Sequence, residues 1–154
     1  MGILKLQRTT EDVPPQPLPI AEGLNHVSGQ METFNVLVRY RSRREIELFA
    51  ERNSRKVDGR NVPDMKRWNT AAPDFYIVGF EGCTPSALRS LMLLAEDPPT
   101  DAEGHVEYSP ELARELWVEV PVPKLADPVW TCAQGILELR ELEKKLDSTP
   151  SDGS

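Results

Sequence analysis

The same two-residue pattern, a short side chain with an oxygen atom followed by proline, begins three of the helices that the sequence predicts. Thr84, Ser109 and Asp127 are each followed directly by a proline. A side-chain oxygen just before a helix caps a free backbone N–H, and proline suits the first helical position because its missing N–H costs nothing there. Each predicted helix is only a few turns long. Because isolated helices below about 12–15 residues are marginal in water, these helices must each bury one apolar face.

Apolar residues at helical spacing define the faces that the first two helices bury. After Thr84 the apolar positions, at i, i+3, i+4 and i+7, are Leu88, Leu91, Met92 and Ala95. After Ser109 the predicted buried face comprises Leu112, Ala113, Leu116 and Trp117. The acidic, proline-rich segment 96–104 lies between them. We therefore expect two amphipathic helices joined by a loop.

The helix predicted after Asp127 extends to about residue 146 and carries apolar residues on two faces. One face has Ile136, Leu139, Leu142 and Leu146, and the other has Trp130, Ala133 and Leu137. One face can pack on the domain, and the other, if exposed, would meet a partner. A helix buried on both sides, or a self-associating pair, would show the same pattern. The candidate partner-binding residues are Trp130, Ile136, Leu137, Leu139, Leu142 and Leu146.

The N-terminal half predicts strands around one further helix. Residues 33–42 place apolar and aromatic side chains on one face at period two, which is typical of a strand. Ser42 and Glu45 have the spacing of a capping box, so a helix is expected from Arg43 to about Lys56. A loop over residues 57–64 and a second strand over residues 73–82 follow.

The order of these elements predicts a small α+β domain in which helices dominate, with one or two short strand pairings. Residues 9–23 contain four prolines and little periodicity, so we expect an extended arm over residues 1–32 that lies outside the core. The globular domain is predicted over residues 33–146. Residues 147–154 have the composition of a flexible tail.

The charge distribution argues against free nucleic acid as a partner. The net charge is −7, although residues 39–67 hold ten Lys and Arg against five acids. Glutamates interleave with these bases, which is typical of a solvated helix face. Residues 68–154 hold sixteen acids against six bases. We therefore favour a protein partner over nucleic acid.

The sequence contains no pattern that predicts catalysis, a metal or a cofactor. His26 and His105 are 79 residues apart, and no nucleophile elbow, phosphate loop or metal-ligand spacing is present. Cys83 and Cys132 are expected to be reduced thiols. No apolar run is long enough to span a bilayer and the first residues do not resemble a signal peptide. We therefore expect a cytoplasmic protein that is not an enzyme.

Three stretches in this order resemble the small tail assembly chaperones of long-tailed bacteriophages. They are "FNVLVRYRSRREIELFAER", "FYIVGFEG" and "VEYSPELARELW". The family carries a comparable v-x-G-W-x-G strand end and an f/y-S/T-x-E-x-x-x-x-L helix start. The resemblance covers residues 33–146. The chain departs from it at Phe80, where the family has tryptophan, and in the length of the helix after Thr84.

The resemblance implies a role in assembly. Such a protein would bind the helical tape measure protein in the host cytoplasm and help to recruit tail tube subunits, without enzymatic activity or a cofactor. A longer frameshifted product is a further implication. Two alternatives remain open: a virion structural or connector protein that uses its N-terminal arm, and a nucleic-acid-binding regulator that uses residues 39–67.

Overall fold

The chain folds as an α+β structure in which short helices pack on a small antiparallel sheet, as the sequence predicts. The computed structural model describes residues 13–136 of the 154-residue chain. The strands are β1 (Gln16–Leu24), β2 (Met31–Val38), β3 (Ser54–Val57), β4 (Arg60–Pro63) and β5 (Ile77–Glu81). The helices are α1 (Arg43–Arg52), α2 (Met65–Tyr76), α3 (Pro85–Leu91), α4 (Pro110–Glu119), a 3-10 turn (Val122–Lys124) and α5, residues 126–136. Among these residues, no helix is long and apolar enough to cross a membrane.

The main sheet has the order β1-β2-β5, with both pairings antiparallel. Phe34, Val36 and Val38 of β2 are fully buried, which confirms the predicted period-two face. The second predicted strand is shorter than expected, because residues 73–76 are the last turn of α2 and β5 begins at Ile77. The centre of the core therefore lies between this face of β2 and the helices packed on it.

The prediction that residues 9–23 lie outside the core is wrong for the described part of this segment, because Val13, Leu18, Ile20 and Ala21 pack against the core. Strand β1 pairs with β2 from Gln16 opposite Val38 to Leu24 opposite Met31, with a bulge after Pro19. The prolines are compatible with this pairing because β1 is an edge strand, where alternate N–H groups have no ladder partner. The prolines nevertheless explain why the sequence does not predict this strand, because proline disfavours strands.

The predicted caps are present at three helices. Ser42 and Glu45 form the complete capping box of α1. Thr84 Oγ1 accepts a hydrogen bond from the Ala87 N–H at 3.1 Å, and Ser109 Oγ accepts one from the Leu112 N–H at 3.1 Å. The third predicted helix start, at Asp127 and Pro128, differs from expectation. The 3-10 turn precedes it and α5 begins at residue 126, so Asp127 and its proline lie inside the first turn.

Two helices end earlier than predicted. Helix α1 ends at Arg52, and the segment expected to continue it forms the β3–β4 hairpin. Asp58 and Gly59 make its turn with φ values of 52° and 77°, the backbone that an Asp-Gly hairpin turn requires. Helix α3 ends at Leu91, so the predicted apolar face does not continue to Ala95. Helix α2 was not predicted from the sequence. It follows its cap Asp64, whose carboxylate accepts a hydrogen bond from the Arg67 N–H.

Candidate functional site

Five aromatic side chains from three helices form one connected cluster, which we call the aromatic cluster. The Phe49 ring of α1 stacks on Phe75 of α2, with centroids 4.2 Å apart, and meets Trp68 edge-on at 4.7 Å. Trp130 of α5 meets Tyr76 at 6.0 Å and 86°, and Trp68 at 6.4 Å and 54°. Helical periodicity explains the α2 contribution, because positions 68, 75 and 76 lie on one face of a helix. The cluster therefore ties α5 to the rest of the core.

One side of the aromatic cluster opens into a concave surface, which we call the tryptophan groove. Its volume is about 460 Å³. It lies between α2, α4, the 3-10 turn and the start of α5, and all three tryptophans of the chain line it. Its principal lining residues are Met65, Trp68, Trp117, Val122, Asp127 and Trp130.

The rim of the tryptophan groove is apolar and exposed. Met65 and Val122 are 58% and 57% exposed. Trp68 and Trp130 are half-buried, whereas Trp117 is 8% exposed and forms part of the floor. An accessible surface of this kind buries the side chains of a partner more readily than it performs chemistry, because it brings no reactive groups together.

Two polar groups of the groove have no hydrogen-bond or ion-pair partner within residues 13–136, and a third has only a long contact. The Asp127 carboxylate makes no hydrogen bond or ion pair there and is exposed. The Tyr76 hydroxyl is buried without a hydrogen-bond partner among these residues, and burial raises its pKa. A third contact is long, since Trp117 Nε1 lies 3.5 Å from Asn69 Oδ1. Among the described residues, the groove is therefore an aromatic surface on which Asp127 is the one unpaired charge.

The structure places the predicted partner-binding residues in different environments. Trp130 lies in the tryptophan groove. Ile136 is 1% exposed and belongs to the core, together with Val129 and Ala133 of the same helix, so the predicted exposed strip does not include it. Its burial follows from its three-residue spacing from Ala133, which places both on the face that packs on the domain. The remaining predicted residues, Leu137, Leu139, Leu142 and Leu146, lie outside the described residues.

Most of the groove escaped sequence-based prediction. Met65 and Trp68 lie on α2, a helix that the sequence did not predict, and Val122 lies in a proline-rich segment. Trp117 was expected in the buried face of α4, where it is found. The Asp64 cap before Met65 was the local signal that could have revealed α2.

A separate polar cluster joins the β1–β2 turn to the loop before α4. Asn25 is 1% exposed, and its Nδ2 donates to Glu32 Oε2 at 2.7 Å and to the Glu103 carbonyl at 2.8 Å. His105 Nε2 lies 2.7 Å from the same Glu32 oxygen. The Asn25 and His105 hydrogen bonds hold the pKa of Glu32 below its ordinary value. This cluster connects the two loops, and His105 is one of its members.

A second groove of about 460 Å³ is lined by acidic side chains, including Asp101, Glu111 and Glu115. The Asp101 carboxylate already accepts hydrogen bonds from the N–H groups of His105 and Glu103, which lower its pKa. That carboxylate therefore stabilises its own loop.

Neither a metal site nor a reactive cysteine is found among the described residues. Within residues 13–136, no group of three or more His, Cys, Asp or Glu is placed to hold a metal ion. Cys83 is 1% exposed, and burial raises the pKa of its thiol to about 12, so it is a poor nucleophile. Comparisons of the chain with protein-family models, with curated proteins and with solved structures found no match.

Proposed function

We propose that the protein is a non-enzymatic assembly chaperone that holds the apolar face of a helix from another protein in the tryptophan groove. The observation that carries this proposal is the convergence of all three tryptophans on one groove whose rim residues, Met65 and Val122, are more than half exposed. Partner side chains are typically buried at concave aromatic surfaces of this kind, and tryptophan is enriched among the residues that dominate binding energy.

The energy available from the groove suits reversible binding. An amphipathic helix presents anchors at i, i+3 or i+4, and i+7 to such a groove. Burying one Leu or Phe side chain contributes about 1.5–3 kcal/mol, so two anchors would contribute about 3–6 kcal/mol. Association also costs translational and rotational freedom. Binding through the groove alone would therefore be weak, and a chaperone must release its partner.

The resemblance to phage tail assembly chaperones suggests which partner this is. A long, largely helical tape measure protein would expose apolar stripes before the tail tube surrounds it. An apolar groove would cover part of such a stripe and leave it when tail tube subunits polymerise. The groove supports this role because it offers the complementary surface.

Changing the rim tests the proposal. The double substitution Met65→Asp with Val122→Asp places two charges at the groove entrance. Position 65 is in the first turn of α2, where an acidic side chain favours the positive end of the helix dipole, so this helix should still form. Leu93→Asp is the matched control, because Leu93 is 99% exposed and does not line the groove.

The assay is co-expression with a tape measure protein, followed by centrifugation and size-exclusion chromatography. The unchanged protein and Leu93→Asp should keep the partner in the supernatant and elute with it. The double variant should leave the partner in the pellet. Full capture of the partner by the double variant would show that the tryptophan groove is not the binding site.

A nucleic-acid-binding regulator is the second candidate, because one observation favours it. Arg55, Lys56 and Arg60 of the β3–β4 hairpin are exposed and make no ion pair within residues 13–136. Phosphate binding by such groups weakens steeply as the salt concentration rises. Retention of DNA or RNA at about 50 mM salt, lost at about 200 mM, would support this candidate, and no retention at the lower concentration would remove it.

A further inference from the structure

We propose that the tryptophan groove selects a helix that carries an arginine within its apolar face, with the guanidinium against the indole rings and paired with Asp127. This inference rests on the proposed function and specifies the partner's chemistry. Two features together carry it: the aromatic walls of the groove, and Asp127, the one carboxylate that lines it within residues 13–136.

The rings of the groove form adjacent walls, an arrangement suited to a cation. The half-buried rings of Trp130 and Trp68 meet at 54°, with centroids 6.4 Å apart. Adjacent rings at large angles let one inserted group approach more than one ring. Tryptophan attracts cations more strongly than other aromatic side chains, and the attraction increases as water is excluded. A positively charged side chain in this space would therefore contact the exposed parts of both Trp68 and Trp130.

The charges of the groove favour a cation from outside the protein. Asp127 lines the groove and has no ion-pair partner within residues 13–136. The neighbouring arginines of α2 and α4 already have partners. Arg114 lies 2.9 Å from Asp74, and Arg67 lies 3.7 Å from its helix cap Asp64. Lys66 of α2 and Lys124 of the 3-10 turn are exposed, and neither forms an ion pair with Asp127. A cation carried by a bound partner would therefore complement Asp127.

Arginine fits these features better than a purely apolar side chain or lysine. A leucine would cover the indoles but would exclude water from Asp127 without replacing its hydration. The arginine stem packs on apolar surface while its head reaches a polar group. Its planar guanidinium stacks on aromatic faces and can donate two parallel hydrogen bonds to a carboxylate, which an ammonium cannot do.

Three peptides test this preference. They are amphipathic helical peptides of about 20 residues that differ at one central position of the apolar face, which is arginine, citrulline or leucine. Citrulline has nearly the shape of arginine without its charge. Tryptophan fluorescence follows binding directly, because every tryptophan of the chain lines the groove, and titration calorimetry provides an independent affinity.

The unchanged protein should bind the arginine peptide about tenfold more tightly than the citrulline peptide. Asp127→Asn should reduce that ratio to about twofold or less. Glu119→Gln is the control, since Glu119 is an exposed carboxylate that does not line the groove, and it should keep the full preference.

Each outcome separates the two proposals. If the leucine or citrulline peptide binds as tightly as the arginine peptide, the selection for arginine is wrong while the helix-binding groove remains. A preference for arginine that Asp127→Asn does not reduce also overturns the assignment to Asp127. If none of the three peptides binds, the groove is not a helix-binding site and both proposals fail.

Discussion

Replacing Gly82 with alanine should destabilise the protein much more than the same replacement at Gly59. Both glycines have left-handed backbone, with φ values of 64° and 77°. A Cβ at Gly82 would overlap the carbonyl oxygen of Thr33, whereas at Gly59 no heavy atom of the described residues lies within 4 Å. The two substitutions therefore share the backbone strain and differ in the space available.

The structure separates the two contributions. Left-handed backbone costs an alanine about 1–2 kcal/mol, so Gly59→Ala should lower the free energy of unfolding by about 1 kcal/mol. Relieving the overlap at Gly82 requires the ends of β2 and β5 to move apart. Losing one or two hydrogen bonds there costs about 0.5–1.5 kcal/mol each. We therefore expect a total loss of about 3 kcal/mol for Gly82→Ala.

Urea unfolding followed by tryptophan fluorescence and circular dichroism measures both losses. The comparison requires that the free energy of unfolding falls with urea concentration at the same slope in the two variants. Equal losses for Gly82→Ala and Gly59→Ala, within about 0.5 kcal/mol, would refute the close approach between the end of β5 and Thr33.

Three further predictions follow from buried and paired groups. Ile136→Ala should cost about 2–5 kcal/mol in urea unfolding, and a negligible loss would place Ile136 outside the core. The pKa of Glu32 is lowered in the folded state by its hydrogen bonds with Asn25 and His105, so its contribution to stability is present above its ordinary value of 4.5 and is lost as the pH falls through the folded pKa. In Glu32→Gln, the free energy of unfolding should therefore fall less steeply at acid pH than in the unchanged protein. An equally steep fall would contradict this role of Glu32. Cys83 should resist iodoacetamide until the protein unfolds, because it is 1% exposed and burial raises its thiol pKa to about 12; rapid labelling in the folded state, detected by mass spectrometry, would contradict its burial.

Helix caps were the most predictable features of the fold. The Ser42–Glu45 capping box and the caps at Thr84 and Ser109 are where the sequence places them. The interactions that make a cap span three residues, so the local sequence contains all the information they need. The period-two face of β2 was predictable for a similar reason, since alternation is a local pattern.

Strand β1 and helix α2 were not predictable in the same way. Prolines disfavour a strand locally, but β1 is stabilised by its pairing with β2 and by its position at the edge of the sheet. Helix α2 contains Pro73, which disfavours a helix locally, and it is stabilised by packing against α4 and the aromatic cluster. In both cases contacts distant in sequence override the local preference.

The sequence alone determined that helices begin after Ser42, Thr84 and Ser109 and which face of β2 is buried. Only the tertiary structure decided that Ile136 is core while Trp130 is accessible, and that Trp68 and Trp117, 49 positions apart in the chain, line one groove with Trp130. The physical reason is that a cap depends on neighbouring residues, whereas a groove depends on how separate helices pack.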